Sequence, residues 1–395
     1  MIRYLPPHRW IGYDLSTIQA ELIAARSAMM ALRQLPYQKD WAEKLQQIQL
    51  KREVAGTSKI EGAEFTDKEL DAALRETPEQ LETRSQRQAA AAVATYRWIG
   101  KLPADRPVDE TLIQEIHRRI VMGADDDHCA PGRLRERDHN VTFGAPQHRG
   151  AEGGEECQSA FSALAAAING EYLSHDPLIQ ALAAHYHFAS MHPFADGNGR
   201  TARAMEALFL QRTGLGDSLF IAMSNYYYEE KNNYLGALAA VRAGDHDLTP
   251  FLRFGLRGIE VQCKRLMGEI VINLRKAMFR NVMFDLFNRL YTQKRRVMKN
   301  RQIEILKLLL ERDQLPLDEL RQLTSGHYAK LGNPNDSYIR DLNYLLGLNA
   351  IRYEQAQDKR VILFPRLDWP TEITETDFYQ RIKTLPKGKM FKVLS

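Results

Sequence analysis

The stretch HPFADGNGRTAR, residues 192–203, interrupts a run of helical periodicity in a chain of 395 residues. The apolar pattern DPLIQALAAHYHFASMH leads into it, and a second helical pattern leads out of it as far as Gly214. Pro193 stops the first helix near His192, and the next begins near Arg200. Its first free backbone N–H groups therefore face the turn Asp196-Gly197-Asn198-Gly199. Glycines let a backbone approach a ligand closely, and a helix N-terminus attracts anions. Arg200 and Arg203 lie three apart, on one face near that positive end. Unpaired, each is disfavoured there by about 0.3–1 kcal/mol. The pair makes sense when a polyphosphate supplies the missing negative charge. Asp196 suits Mg²⁺, which takes one or two carboxylates together with phosphate oxygens. His192 can accept a proton near neutral pH, which is what activating a hydroxyl requires. Taken singly, a histidine after an apolar helix is more often a satisfied core residue, and a lone G-x-G says little. Nine specified positions in twelve are hard to explain as structure alone.

The bulk numbers narrow the setting. The composition is that of a globular protein of two or three domains, 44% hydrophobic and 26% charged. The opening segment MIRYLPPHRW has no apolar signal-like core, and no later stretch approaches the roughly 18 apolar residues of a membrane span. Cys129, Cys157 and Cys263 lie far apart with no C-x-x-C pair, arguing against a disulfide framework and a zinc site and for a reducing, cytoplasmic setting. The net charge of +4 does not announce nucleic acid. Positive charge is local: Lys294, Arg295, Arg296, Lys299 and Arg301 crowd into QKRRVMKNR, read as a solvated linker face rather than a phosphate grip.

Helices dominate the rest. TIQAELIAARSAMMALRQL and WAEKLQQIQLKREVAG are amphipathic, Thr66 and Glu69 form a capping box, and RSQRQAAAAVATYRWIG and DETLIQEIHRRIVMG each stop at glycine. From about Ala124 to Glu156 the texture turns to Gly, Asp, Arg, Pro and His, with one strand-like piece, NVTFG. Helices resume through CQSAFSALAAAINGEYL and NYYYEEKNNYLGALAAV, and a long one runs from Pro250 to about Tyr291. Beyond it, RQIEILKLLLER, LDELRQLTS and DSYIRDLNYLLGLN are three short helices, followed by the strands IRYEQ and RVILFP. That order outlines a winged helix-turn-helix.

The central stretch resembles, without a substitution, the signature of Fic-domain proteins, H-P-F-x-[D/E]-G-N-G-R-x-x-R. The resemblance covers the chain up to about residue 290. It implies a helical Fic-type bundle with a short β-hairpin flap and the transfer of AMP from Mg-ATP to a Ser, Thr or Tyr hydroxyl of a protein. By the same resemblance His192 is the general base and Asp196 the Mg²⁺ ligand, Gly197, Asn198 and Gly199 hold phosphate oxygens, and Arg200 and Arg203 grip the β- and γ-phosphates. PGRLRERDHNVTFG looks like the family's flap, a hairpin over the nucleotide, which places Val141, Thr142, Phe143 and Gly144 among the nucleotide-binding residues, and their edge can receive a target segment by β-augmentation. An ordinary edge strand is the alternative. The following APQHRGAEGGEE departs from the family's usual proline pair. The family's adenine pocket uses paired tyrosines where this chain has Tyr234-Leu235. His185 and His187, two apart on a helix, do not face one site and are structural.

TSKIEG, residues 57–62, resembles the family's inhibitory motif [S/T]-x-x-x-E-[G/N]. Thr57 and Ser58 open it, and its Glu61 can satisfy Arg203 so that ATP binds in the wrong pose. The alternative is a plain helix end. A carboxylate in this place could also orient water and remove AMP from a modified protein, and the sequence leaves the direction open.

The resulting expectation is an all-α chain. Residues 1–100 carry the inhibitory motif, 101–292 the Fic domain, 300–368 a winged-helix-like domain and 369–395 a C-terminal tail. In the presented helix Ile339, Leu342 and Leu346 face inward, and Ser337, Tyr338, Arg340 and Asp341 face out, with Asp341 partly offsetting Arg340. DNA is therefore a less favoured partner than protein or a second copy of the chain. The expected partners are ATP, a target protein on the flap and the chain itself as a substrate, with no membrane. The rival from another class is a DNA-binding regulator on a Fic scaffold.

Overall fold

The computed structural model describes residues 2–36, 39–64, 66–75, 81–137, 139–144, 146–214, 220–289, 293–384 and 391. The chain forms two compact units, Met1–Met267 and Gly268–Ser395. The division falls within a long helix rather than in the 292–300 stretch.

The first unit begins with β1 (Ile2–Arg3), α1 (Leu15–Gln34), α2 (Lys39–Ile60), α3 (Asp67–Ala73), α4 (Arg84–Ile99) and α5 (Glu110–Val121). Local signals set these ends. Asp14 and Asp109 cap α1 and α5, and Thr66 with Glu69, and Thr83 with Gln86, close full capping boxes on α3 and α4. A small hairpin, β2 (Thr142–Phe143) and β3 (His148–Arg149), precedes α6 (Glu155–Ile168). Then come α7 (Pro177–Met191) and α8 (Asn198–Arg212), buried on nearly every face. Helices of that kind belong at the centre of a bundle, and the loop joining them is the 192–203 stretch. Around them lie α9 (Met223–Glu229), α10 (Lys231–Ala243) and the start of α11 (Thr249–Asn288).

The sheet order is β1-β3-β2, with β1 parallel and β2 antiparallel to β3. The sequence showed only NVTFG. Strands of two residues carry no periodicity to read, and β1 pairs Ile2 with the distant His148. β2 is an outer strand, so its far edge carries unpaired backbone groups.

The second unit holds the rest of α11, then α12 (Gln293–Arg312), β4 (Leu315–Pro316), α13 (Leu317–Tyr328), α14 (Pro334–Gly347), β5 (Ile351–Gln355), β6 (Val361–Pro365), α15 (Trp369–Glu372) and α16 (Glu375–Thr384). Its strands form an antiparallel sheet in the order β4-β6-β5. Leu306, Leu309, Leu320, Leu342, Leu345 and Leu363 fill the core. Trp369 and Phe378, in the stretch read as a tail, are part of that core. The side chains of Lys294, Arg295, Arg296 and Lys299 lie outside the described residues.

Two orientations on α14 need correction. Ile339, Leu342 and Leu346 face inward and Arg340 outward, but Tyr338 and Asp341 are buried rather than presented. Asp341 Oδ2 accepts from Arg301 Nε at 2.7 Å and from the Tyr328 hydroxyl at 3.0 Å. A carboxylate survives burial when it is paired in this way. Tyr338 donates to the Leu317 carbonyl at 3.2 Å. Asp341 therefore spends its charge on Arg301 and does not offset Arg340.

Candidate active site

His192 ends α7 in the left-handed backbone conformation, φ 52°. Its Nδ1 lies 2.7 Å from the Ala189 carbonyl, an acceptor only, so Nδ1 carries the proton. Burial pulls the ring down to about 4. The imidazole is thus neutral at physiological pH, with Nε2 bare as a proton acceptor. Phe143 of the flap stacks on it, with ring centroids 3.7 Å apart.

The turn after it is tightly made. Gly197 has φ 74°, and an added Cβ there would run into Val121. Asn198 closes the loop on itself: its Oδ1 accepts from Phe194 N at 2.9 Å and its Nδ2 donates to Phe194 O at 2.8 Å. The side chain of Asn198 is therefore committed to the loop, and only its backbone can serve a ligand. Asp196 accepts from Gly197 N at 2.6 Å. Its carboxylate, 40% exposed, lies 3.5 Å from Arg84 Nη2 and 3.7 Å from Arg200 Nη2.

The two arginines are buried, and each has a carboxylate. Arg200 donates to Asp125, a fully buried acid that also accepts from Arg84 Nε and Gln88 Nε2, each at 2.8 Å. Burial pushes Asp125 up, but Arg200 outweighs it and holds the acid below the usual carboxylate range. Arg203 donates through Nη2 to Glu61 Oε1 at 2.6 Å, and through Nε to Thr57 Oγ1 at 2.8 Å. Burial again pushes Glu61 up, and the opposing charge and hydrogen bond of Arg203, with Arg200 and His192, bring it below its ordinary value.

Thr57 and Ser58 are buried within the last turn of α2, and the Ser58 carbonyl accepts from Glu61 N at 3.1 Å to bend the chain back. This turn sets the Glu61 carboxylate over the N-terminus of α8, where a Cβ on Gly199 would overlap Oε1. The carboxylate that meets Arg203 at this end of α8 is thus the chain's own.

The site fits the group that such a cradle implies. An oxyanion, Glu61, already occupies it, and Asp196 offers a part-exposed carboxylate beside it. Among the described residues no group of three or more His, Cys, Asp and Glu could hold a metal. A single carboxylate is what Mg²⁺ arriving with phosphates uses.

Other expected residues divide. Val141 O accepts from Gly150 N at 3.2 Å, Thr142 and Phe143 form β2, and Gly144 turns with φ 77° close to Arg242. Tyr234 is 3% exposed, its ring stacked on Tyr227 at 4.6 Å and its hydroxyl 2.9 Å from His185 Nε2. It offers no free face for an adenine, whereas Leu235 beside it is 44% exposed. His185 bonds to Glu206, and His187 reaches the Trp10 carbonyl at 2.6 Å, so both are structural.

Sequence reasoning missed several groups. Asp125 lies in a run of three aspartates with nothing to single it out. Arg84 comes from another helix, and Arg135 is one of four arginines between 133 and 149. His117 stacks on Phe194 at 3.6 Å, accepts from Gly132 N at 2.9 Å and donates to Asp196 O at 3.0 Å.

Residues 107–210 match the sequence model of the Fic/DOC family, and this segment carries the intact signature loop at the centre of the bundle. Among curated relatives it is 31% identical over 162 residues to "Protein adenylyltransferase fic-1" of Caenorhabditis elegans, covering 41% of this chain and 28% of that one. It is likewise 31% identical over 167 residues to "Protein adenylyltransferase Fic" of Nematostella vectensis, covering 39% and 35%. The chain thus spans about a third of the length of these relatives. Among solved structures, a Fic family protein from Desulfovibrio desulfuricans superposes with a TM-score of 0.57 at 18% identity, covering 92% of this chain and 98% of that one. Residues 134–508 of C. elegans Fic-1 give 0.55 at 21% identity, covering 65% and 74%. These structural likenesses speak for the fold. Among the described residues no helix is long and apolar enough to cross a membrane, and the three cysteines are free and buried.

Proposed function

We propose that this chain is a protein adenylyltransferase, transferring AMP from ATP to a hydroxyl side chain of a protein. One observation carries the reading: a neutral histidine with a bare Nε2 ends the helix before the loop, and the helix after it carries a buried arginine already paired with a carboxylate. His192 Nε2 takes the proton of the attacking hydroxyl, whose oxygen forms the new bond to the α-phosphorus as the bond to the pyrophosphate oxygen breaks. Arg200, Arg203 and the backbone amides of Gly197, Asn198 and Gly199 hold the departing charge. Asp196 would hold Mg²⁺, which would supply charge neutralisation to the phosphates. Leu235 and the neighbouring surface of α10 are the places to seek the adenine contact, since the Tyr234 ring is covered.

Glu61 acts as an internal inhibitor on this reading, competing with the terminal phosphate for Arg203. The outer edge of β2 is the docking strand for the target segment, over His192 and next to Phe143. The second unit, with its helix, strand, helix, helix, strand, strand order, is a winged-helix module on this reading.

The test is label transfer. Incubated with the Glu61→Gly variant, ATP labelled at the α-phosphate should label protein, ATP labelled at the γ-phosphate should not, and His192→Ala should abolish the signal. Label from the γ-position, or transfer that survives loss of His192, would replace this reading with another phosphate-linked transfer.

A further inference from the structure

Arg135 lies beneath the flap, 4% exposed, and among the described residues no carboxylate pairs with it. A buried cation without a counter-charge is costly and persists only where its hydrogen bonds are all used. Its partners are three main-chain carbonyls on three segments. Nε donates to His192 O at 2.7 Å, Nη1 to His139 O at 2.6 Å, and Nη2 to Ala151 O. His139 is on the ascending leg of the flap and Ala151 on the descending leg.

The surrounding backbone repeats the pattern. Ala151 N donates to Met191 O and Arg135 N to Pro193 O, each at 2.9 Å. Three successive carbonyls, at 191, 192 and 193, are therefore held by the flap's two legs. Gly150 makes room: a Cβ there would stand 2.6 Å from Met191 O and 2.9 Å from His192 Cβ. Between these bonds His192 keeps a left-handed backbone that a non-glycine residue rarely adopts.

We propose that Arg135 is a positioning residue that registers the flap, and with it the incoming hydroxyl, against the imidazole of His192. It does not touch substrate. It acts by holding the His192 carbonyl in the same planar fork that holds both flap legs, and the fixed geometry of a guanidinium suits it to three acceptors at once. The rate consequence rests on the adenylyltransferase reading above, but the effect on the histidine ring does not.

The experiment compares Arg135→Lys and Arg135→Ala with their parent, all in the Glu61→Gly background. The rate of label incorporation from saturating α-labelled ATP should fall by about 10- to 100-fold, the scale of an ångström of misplacement. The ATP dissociation constant by calorimetry should stay within about twofold. Added guanidinium should restore Arg135→Ala in part, and the same concentration of sodium chloride should not. With ¹⁵N-histidine labelling, the His192 resonances, assigned through His192→Ala, should show one Nδ1–H tautomer in the parent and a mixture in the variants. An unchanged rate and tautomer would overturn the proposal. So would a rate loss matched by lost ATP affinity, or failure of both variants to fold, since each describes a general brace. If the Arg135-intact parent transfers no label, the enzymatic reading fails, and the tautomer comparison still decides the role of Arg135.

Discussion

Glu61 Oε1 stands 2.6 Å from Arg203 Nη2, and the same guanidinium is held by Thr57 through Nε at 2.8 Å. The Glu61 carboxylate and a second partner of Arg203 thus come from one turn of chain. Removing Glu61 leaves Arg203 still bonded to Thr57, through Nε to Oγ1 and through Nη2 to the Thr57 carbonyl at 3.2 Å.

Glu61→Gly is therefore expected to raise label transfer without unfolding the protein. Losing one partner of a buried pair costs about 3–5 kcal/mol, but a phosphate can replace that partner. A net penalty of about 2–3 kcal/mol on productive binding corresponds to a gain of roughly 30- to 150-fold when it is lifted. Initial rates at fixed ATP measure it, and no gain with Arg203 intact would remove the inhibitor from the account.

Gly56→Ala tests the helix rather than the carboxylate. A Cβ at 56 would overlap the backbone of Ser224, which cannot move aside as a flexible side chain could. Glu53 pins the same helix face by accepting from Ser224 N at 2.8 Å and from the Tyr96 hydroxyl at 3.0 Å. Forcing α2 off its seat should lower the melting temperature and raise label transfer with Glu61 still present. A lower melting temperature with unchanged transfer would mean that the plug does not depend on the seating of α2.

Asp125→Ala should be among the most damaging single changes in the unit. It leaves Arg200 buried without its carboxylate, at a cost of about 3–5 kcal/mol. Urea unfolding would show this, and the apparent KM for ATP should rise more than kcat falls. A loss below about 1 kcal/mol would show that Asp196 takes over as the partner.

Acid should unfold this chain early. Burial pulls His117, His148 and His192 down to about 4 and His187 to about 3, against an ordinary 6.5. Between those limits the unfolded chain binds the extra protons, so stability falls as pH drops from about 6.5 towards 4, by at most about 1.4 kcal/mol per pH unit for each histidine. Glu53, raised by burial to about 7, works the other way, and its contribution fades as pH climbs from 4.5 to 7. Because His192 is neutral down to about 4, label transfer should show no histidine titration near 6.5. Unfolding monitored from pH 8 to 4, beside the pH–rate profile, checks both statements.

The divide between what was legible and what was not follows sequence separation. His192, Asp196, Gly197, Arg200 and Arg203 fall within twelve residues. A helix stop, a turn and the first turn of a helix bring such residues together by local geometry alone. The helix caps at Asp14, Thr66 and Asp109 are local in the same way. TSKIEG was recognisable as a motif, but the bond from Thr57 to Arg203 spans 146 positions. Tyr234 shows the limit in the other direction: the family resemblance put it at the adenine, and the packing of Tyr227 and His185 against it covers the ring. Asp341 is similar, since polarity pointed it outward and Arg301 gave it a reason to be inside.

The amino-acid order by itself determined the helical character and the anion-seeking loop, which rest on spacing along one or two turns, and the resemblance of TSKIEG to a family motif pointed to Glu61. Tertiary structure alone decided which acid neutralises Arg200, which aromatic covers His192, and that Arg135 lies under both flap legs. Those depend on desolvation and on the meeting of distant segments, and a buried charge finds its partner only after the chain has closed around it.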